Sequence, residues 1–161
     1  THPPTTPPHP HAPPCYRFRY DDLKNAGANI CLGTDGASSS NNLDMLETMK
    51  TTALFQKAWE NDPSAMPLHE LMDAATINGA LALGLETGVI REGAIADLSI
   101  VDINNSYFIS PGSFLANLVY AAHSDTISSV IANGRFVMRD RFIPGGAEIL
   151  TEARKVLKQI Q

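Results

Sequence analysis

Apolar residues return at three- and four-residue spacing in two stretches near the middle of the chain. Met45, Leu46, Met49 and Ala53 share one face of a helix that the pattern starts near Leu43 and carries to residue 59. Asn41 or Asn42 can cap it, and Asp44 suits the positive end of its dipole. A second helix, over 67–76, opens at Pro67, a favoured first-turn residue, with Leu68, Leu71, Met72 and Ala75 on one stripe. A short helical piece over 78–83 ends at Gly84. Residues 21–27, DDLKNAG, read as the end of a helix closed by a glycine C-cap. The apolar run over 28–33, ANICLG, is bounded by turn residues and predicts a strand buried on both faces.

Beyond Gly84 the period shortens. Val89-Ile90, 98–103 and 127–132 are β-branched and strand-like. Asn133-Gly134 then joins the last of these to 135–138, a strong hairpin signal. Residues 147–161 close the chain as a helix with Ile149, Ala153, Val156 and Ile160 along one stripe.

Residues 1–14 are of another kind. Seven of the eleven prolines fall there, with His2, His9 and His11 between them. Proline fixes φ and removes a donor, so this stretch is predicted to be extended or disordered. His9-Pro10-His11 has the outward form of an H-x-H metal pair. Such a pair needs a rigid strand to aim both rings, and a proline-rich tail offers none.

Length and charge narrow the possibilities. A chain of 161 residues can bury the core of one ordinary domain, but falls well short of the roughly 250 residues of an eight-stranded α/β barrel. A net charge of −5 argues against nucleic acid and anionic membranes as partners. No apolar run approaches the roughly 20 residues of a membrane span. Cys15 and Cys31 form neither a CxxC pair nor a disulfide framework, which predicts a reducing, cytoplasmic setting.

The candidate for chemistry is Asp35, which follows the apolar run at the end where α/β folds bind ligands. Taken alone, an Asp there is ordinary turn chemistry. Its surroundings are more specific. The run CLGTDGASSSNNLDMLETMKTTALFQK resembles the eighth barrel strand of the amidohydrolase superfamily, in the subgroup of methylthioadenosine/S-adenosylhomocysteine deaminases and triazine chlorohydrolases. ATINGALALGL and GVIREGAIADLSIVD are similar to that family's passage from the barrel into a small β-sandwich. NLVYAAHSDTISSVIANGRFVMRDRF resembles the sandwich hairpin that follows, so the resemblance covers residues 16–161.

The resemblance implies an α/β chain: the C-terminal part of a (β/α)8 metal-dependent hydrolase barrel plus part of a β-sandwich. The implied division is 1–15 proline/histidine-rich, 16–86 barrel end, 87–143 sandwich portion and 144–161 helix. It implies a divalent metal, zinc or iron, with Asp35 as both ligand and proton acceptor. The implied reaction is hydrolytic deamination or dechlorination of a purine-like or triazine-like ring by a metal-bound hydroxide. Gly33 and Gly36 would let the backbone turn tightly around the ligand. Ser38, Ser39, Ser40, Asn41 and Asn42 fit a loop and helix cap as well as a pocket lining, and carry no assigned role.

The family's other ligands, an H-x-H pair, further histidines and an acid/base glutamate, would lie upstream. His69 and His123 read as surface or packing histidines. The abrupt change of composition near Tyr16 fits a shifted reading frame or a truncated gene. The expected partners are a small heterocyclic substrate and either a missing N-terminal barrel segment or another copy of the chain. The chain alone is expected to be inactive and prone to associate. A non-catalytic assembly module and an independent metal binder using the N-terminal histidines are the competing readings.

Overall fold

A computed structural model describes residues 17–160. The proline/histidine segment 1–15, with its H-x-H pair, lies outside the described residues. The elements run α1 (Tyr20–Asn25), α2 (Ala37–Ser40), α3 (Met45–Glu60), α4 (Leu68–Ala75), α5 (Ile77–Leu83), β1 (Leu98–Val101), α6 (Phe114–Tyr120), β2 (Ile127–Ala132), β3 (Arg135–Met138) and α7 (Gly146–Ile160). Single 3-10 turns lie at Ser106–Phe108 and Ser124–Thr126.

The long helices sit where the periodicity puts them. The α3 helix begins two residues later than expected, because Asp44 caps it: the carboxylate accepts the backbone N–H groups of Leu46 at 2.9 Å and Glu47 at 3.1 Å. Gly27 closes α1 in the left-handed conformation (φ 78°), with Ala28 N–H bonded to Leu23 O and Gly27 N–H to Lys24 O. Gly84 ends α5 the same way.

Met49 and Ala53 of α3, Leu71 and Ala74 of α4, and Val119 of α6 make the core with Tyr20 and Met66. Sequence reasoning did not single out α6: FLANLVY is too short and too uniformly apolar to show a helical period. Its start is fixed by Ser113, whose hydroxyl accepts Ala116 N–H.

The run 28–33 forms no β-ladder among the described residues. A strand needs a neighbour to bond to, and here α4 and α5 take that place. Leu32 N–H donates to Ala74 O at 2.8 Å. Asn78 Nδ2 donates to Ile30 O at 2.8 Å, and Asn29 Nδ2 returns a bond to Asn78 O at 2.9 Å.

The sheet is antiparallel in the order β1-β2-β3, with Ser99 opposite Val130 and Ala132 opposite Arg135. Asn133 and Gly134 both take positive φ, as a tight I′-type hairpin requires. Asp97 Oδ1 accepts Asn133 N–H, and Ala96 O accepts Gly134 N–H. Val89-Ile90 forms no strand, and β1 stops at Val101 rather than 103. The chain turns there because the Asp102 carboxylate accepts Asn104 N–H and pairs with Arg141 at 3.1 Å. Gly88 passes so close to α5 that a Cβ would lie 2.8 Å from Ile77 Cα.

Burial is incomplete. The chain exposes 12161 Å², against roughly 7,900 Å² for a compact monomer of this mass. Even if residues 1–16 are granted the exposure of an extended chain, about 2,500 Å², the excess survives.

One polar clamp ties α1 to α4. The Tyr20 hydroxyl donates to Glu70 Oε2 at 2.8 Å, and Lys24 Nζ pairs with the other oxygen. Burial pushes the Glu70 carboxyl up, but the Lys24 and Tyr20 hydrogen bonds outweigh it and hold it below its ordinary value. Burial, then the bond to Glu70, pushes the Tyr20 phenol up.

These directions set two pH limbs. The contribution of Glu70 is complete above its unfolded pKa of about 4.3 and drains as pH falls through the lower folded value. That of Tyr20 is complete below about pH 10 and is lost as pH climbs through the raised folded value. Chemical denaturation of Glu70→Gln should show a flatter acid limb, and Tyr20→Phe a flatter alkaline one. Asp44→Ala should cost about 1 kcal/mol through the lost cap, read in the same experiment.

Candidate metal-site segment around Asp35

Segment 28–36 carries Asp35 out of the helical layer, and the residue is exposed. Its backbone takes the left-handed conformation, φ 59°, which β-carbon sterics make uncommon outside glycine and which Asp tolerates better than most. The glycines that flank it do not: Gly33 and Gly36 keep negative or extended φ, and Gly36 has φ −78°. The sharp turn therefore lies in the aspartate itself. Its Oδ1 accepts Gly36 N–H at 2.6 Å, and its backbone carbonyl accepts the Thr34 hydroxyl at 3.1 Å. Strained backbone at a carboxylate recurs at ligand-binding positions.

The small polar run after Asp35 is a single helical turn, α2, ended by Asn41 in the left-handed region. Asn42 lies against the start of α3, where its amide donates to Glu47. Neither residue caps α3.

The histidines sit elsewhere. His69 is exposed on α4 with Nε2 3.8 Å from Glu70 Oε1. His123 is exposed ahead of the Ser124–Thr126 turn, edge-on to Tyr107 with ring centroids 5.5 Å apart. Both are surface residues. His123 and Ser124 face the capping carboxylate of α3: burial pushes Asp44 up, but the Ser124 hydroxyl, the Glu47 and Leu46 N–H groups and the charge of His123 bring it below its usual value. No sequence motif signals this contact, because it joins positions some eighty residues apart.

Beside the segment lies an apolar groove of about 320 Å³, lined by Ile30, Cys31, Leu32, Phe55, Trp59 and Met66 among others. Phe55 and Trp59 stack at 5.4 Å and stay exposed.

Among the described residues, no three or more His, Cys, Asp or Glu side chains come together as a metal site. A catalytic zinc takes three protein ligands and keeps an open position. Asp35 therefore does not hold an ion unaided. No helix among the described residues is long and apolar enough to cross a membrane.

Comparison with known proteins agrees with a mixed helix-and-strand chain that carries a small sheet. The chain belongs to the Amidohydrolase family, whose pattern matches residues 17–137. It is 43% identical over 146 residues to 5-methylthioadenosine/S-adenosylhomocysteine deaminase 1 of Archaeoglobus fulgidus, covering 89% of this chain and 35% of that one. Its structure is similar to that of a zinc-bound adenosine deaminase from Xanthomonas campestris, with TM-score 0.80, 33% identity, and 86% of this chain covering 32% of that one. A zinc complex of atrazine chlorohydrolase from Arthrobacter aurescens shares the fold at TM-score 0.77 and 24% identity, over 86% of this chain and 32% of that one. The chain thus spans about a third of the length of these proteins.

Because Asp35 is exposed and already left-handed, Asp35→Asn and Asp35→Gly should each change the folding stability by less than about 1 kcal/mol. Thermal denaturation checks this, and a larger loss would mean that the carboxylate holds the fold.

Proposed function

We propose that the chain is the C-terminal part of a metal-dependent amidohydrolase that deaminates an adenosine-type nucleoside. Residues 16–86 form the end of its barrel, with 28–33 as the last strand, residues 87–143 a portion of its β-sandwich, and 144–161 a closing helix. Water replaces the exocyclic amino group of the ring, and ammonia leaves. Asp35 is the carboxylate that this part contributes to the metal. The remaining donors come from outside the described residues. The metal, zinc in this reading, supplies an activated water when the set is complete. The part of Asp35 is to present a carboxylate from a preset turn at the strand end.

The observation that carries the reading is the left-handed aspartate at the end of an apolar segment with no ladder, in a chain of this family. The exposed groove between that segment and α3 supports it, since neighbouring barrel strands would cover Phe55 and Trp59. The high identity to the archaeal deaminase favours an aminopurine nucleoside as substrate. The chlorohydrolase supports the fold alone.

The test joins residues 17–161 to the preceding portion of the Archaeoglobus fulgidus relative. It measures bound zinc and the release of ammonia from 5-methylthioadenosine. The hybrid should bind zinc and release ammonia, and Asp35→Asn should slow release at least about 100-fold with an unchanged circular dichroism spectrum. A folded, zinc-loaded hybrid that frees no ammonia from adenosine-type nucleosides overturns the substrate class. Full activity in Asp35→Asn overturns the site.

A further inference from the structure

The first described residues of the chain lie against the apolar groove. Arg17 pairs with Glu60, and Phe18 O accepts the side-chain amide of Gln56 at 3.2 Å. Both anchors are on α3, each one residue beyond a member of the exposed, stacked pair Phe55 and Trp59. Phe18 itself lines the groove with that pair, and Cys31 and Leu32 line it from segment 28–33. Whatever precedes Arg17 is therefore tethered beside the groove.

What precedes it is a stretch of sixteen residues with a regular proline pattern. Pro4, Pro7, Pro10 and Pro13 recur at every third position. A polyproline II helix has three residues per turn, so this spacing sets all four rings on one face, along about 28 Å. Pro3, Pro8 and Pro14 fall off that face. Aromatic-lined grooves take such a face because proline has little conformational freedom left to lose and its ring packs on exposed aromatic ones.

The reach is short. Pro13 stands five residues before Phe18, a span of at most about 18 Å. A tether of that length gives an effective concentration on the order of millimolar. A prolyl contact too weak to hold a free peptide is then filled within the chain. No side-chain charge opposes it, since residues 1–14 contain no Lys, Arg, Asp or Glu.

We propose that the groove beside α3 is the docking site of this chain's own proline-rich segment, residues 4–13, laid on Phe55 and Trp59 by its every-third-residue face. The inference stands apart from the enzymatic reading: the segment holds the surface that neighbouring barrel strands would otherwise cover.

Trp59 is the one tryptophan of the chain, and Cys31 is its one thiol once Cys15→Ser is introduced, so both walls of the groove can be read in the full chain. In that background one variant carries Pro4→Ser, Pro7→Ser, Pro10→Ser and Pro13→Ser. A control carries Pro3→Ser, Pro8→Ser and Pro14→Ser. Helix content by circular dichroism should match the parent in both. Acrylamide quenching of Trp59 and maleimide labelling of Cys31 should each rise at least about twofold in the first variant, and by less than half as much in the control. The difference should hold from about 1 to 100 µM protein, because the contact lies within one chain. Equal accessibility in the parent and the first variant overturns the proposal. An equal rise in both variants does so too, since it denies the one-sided face. A difference seen only at high concentration also overturns it, by assigning the groove to a second copy. Neither readout involves zinc or ammonia, so failure here leaves the enzymatic reading untouched.

Discussion

The backbone of residues 28–33 must find hydrogen-bond partners without a neighbouring strand, and the helical layer is arranged around that need. A buried peptide group left unpaired costs as much as a lost hydrogen bond. Ala74 and Asn78 supply the partners from α4 and α5: Ala74 O accepts Leu32 N–H, the Asn78 side chain donates to Ile30 O, and the Asn78 backbone carbonyl accepts the Asn29 side-chain amide. This pins the segment against the core of Met49, Ala53, Leu71 and Val119. Asp35 emerges just beyond the last of these bonds. Its orientation is inherited from α4 and α5.

Much of this was legible from spacing. Met45, Leu46, Met49 and Ala53 announce α3, and Asn133-Gly134 announces the hairpin, because each rests on short-range periodicity or turn chemistry. What was not legible depends on distant partners. The run over 28–33 looks like a buried strand, but its hydrogen-bond partners lie on α4 and α5. The FLANLVY stretch becomes a helix because Val119 fits the core, which no local pattern reveals. The clamp of Tyr20, Lys24 and Glu70 joins positions about fifty residues apart. At the site, Asp35 was visible as a residue only in the company of its motif. That the aspartate rather than a glycine would take the left-handed turn was not visible at all.

The two halves of the chain handle their polar groups differently. In the sheet half the hairpin turn is anchored by Ala96 and Asp97, and the Arg141–Asp102 pair secures the exit from β1. The helical half leaves large apolar groups such as Phe55 and Trp59 in water. Such a surface is costly for a free monomer. It is ordinary for a piece of a barrel whose neighbours are in place, which is the reading proposed for a chain matching about a third of its relatives.

The bonds that hold the site segment also impose an order of events during synthesis. Ile30 and Asn29 are secured by Asn78, forty-eight and forty-nine residues later. On a ribosome the aspartate emerges before α5, and the segment cannot be fixed until α5 has followed it out. Closing a loop of that length is slow relative to helix formation. The hairpin of β2 and β3, by contrast, can close as soon as it appears. The segment that carries Asp35 is thus translated ahead of the residues that hold it, leaving an apolar stretch without its partners for the time between.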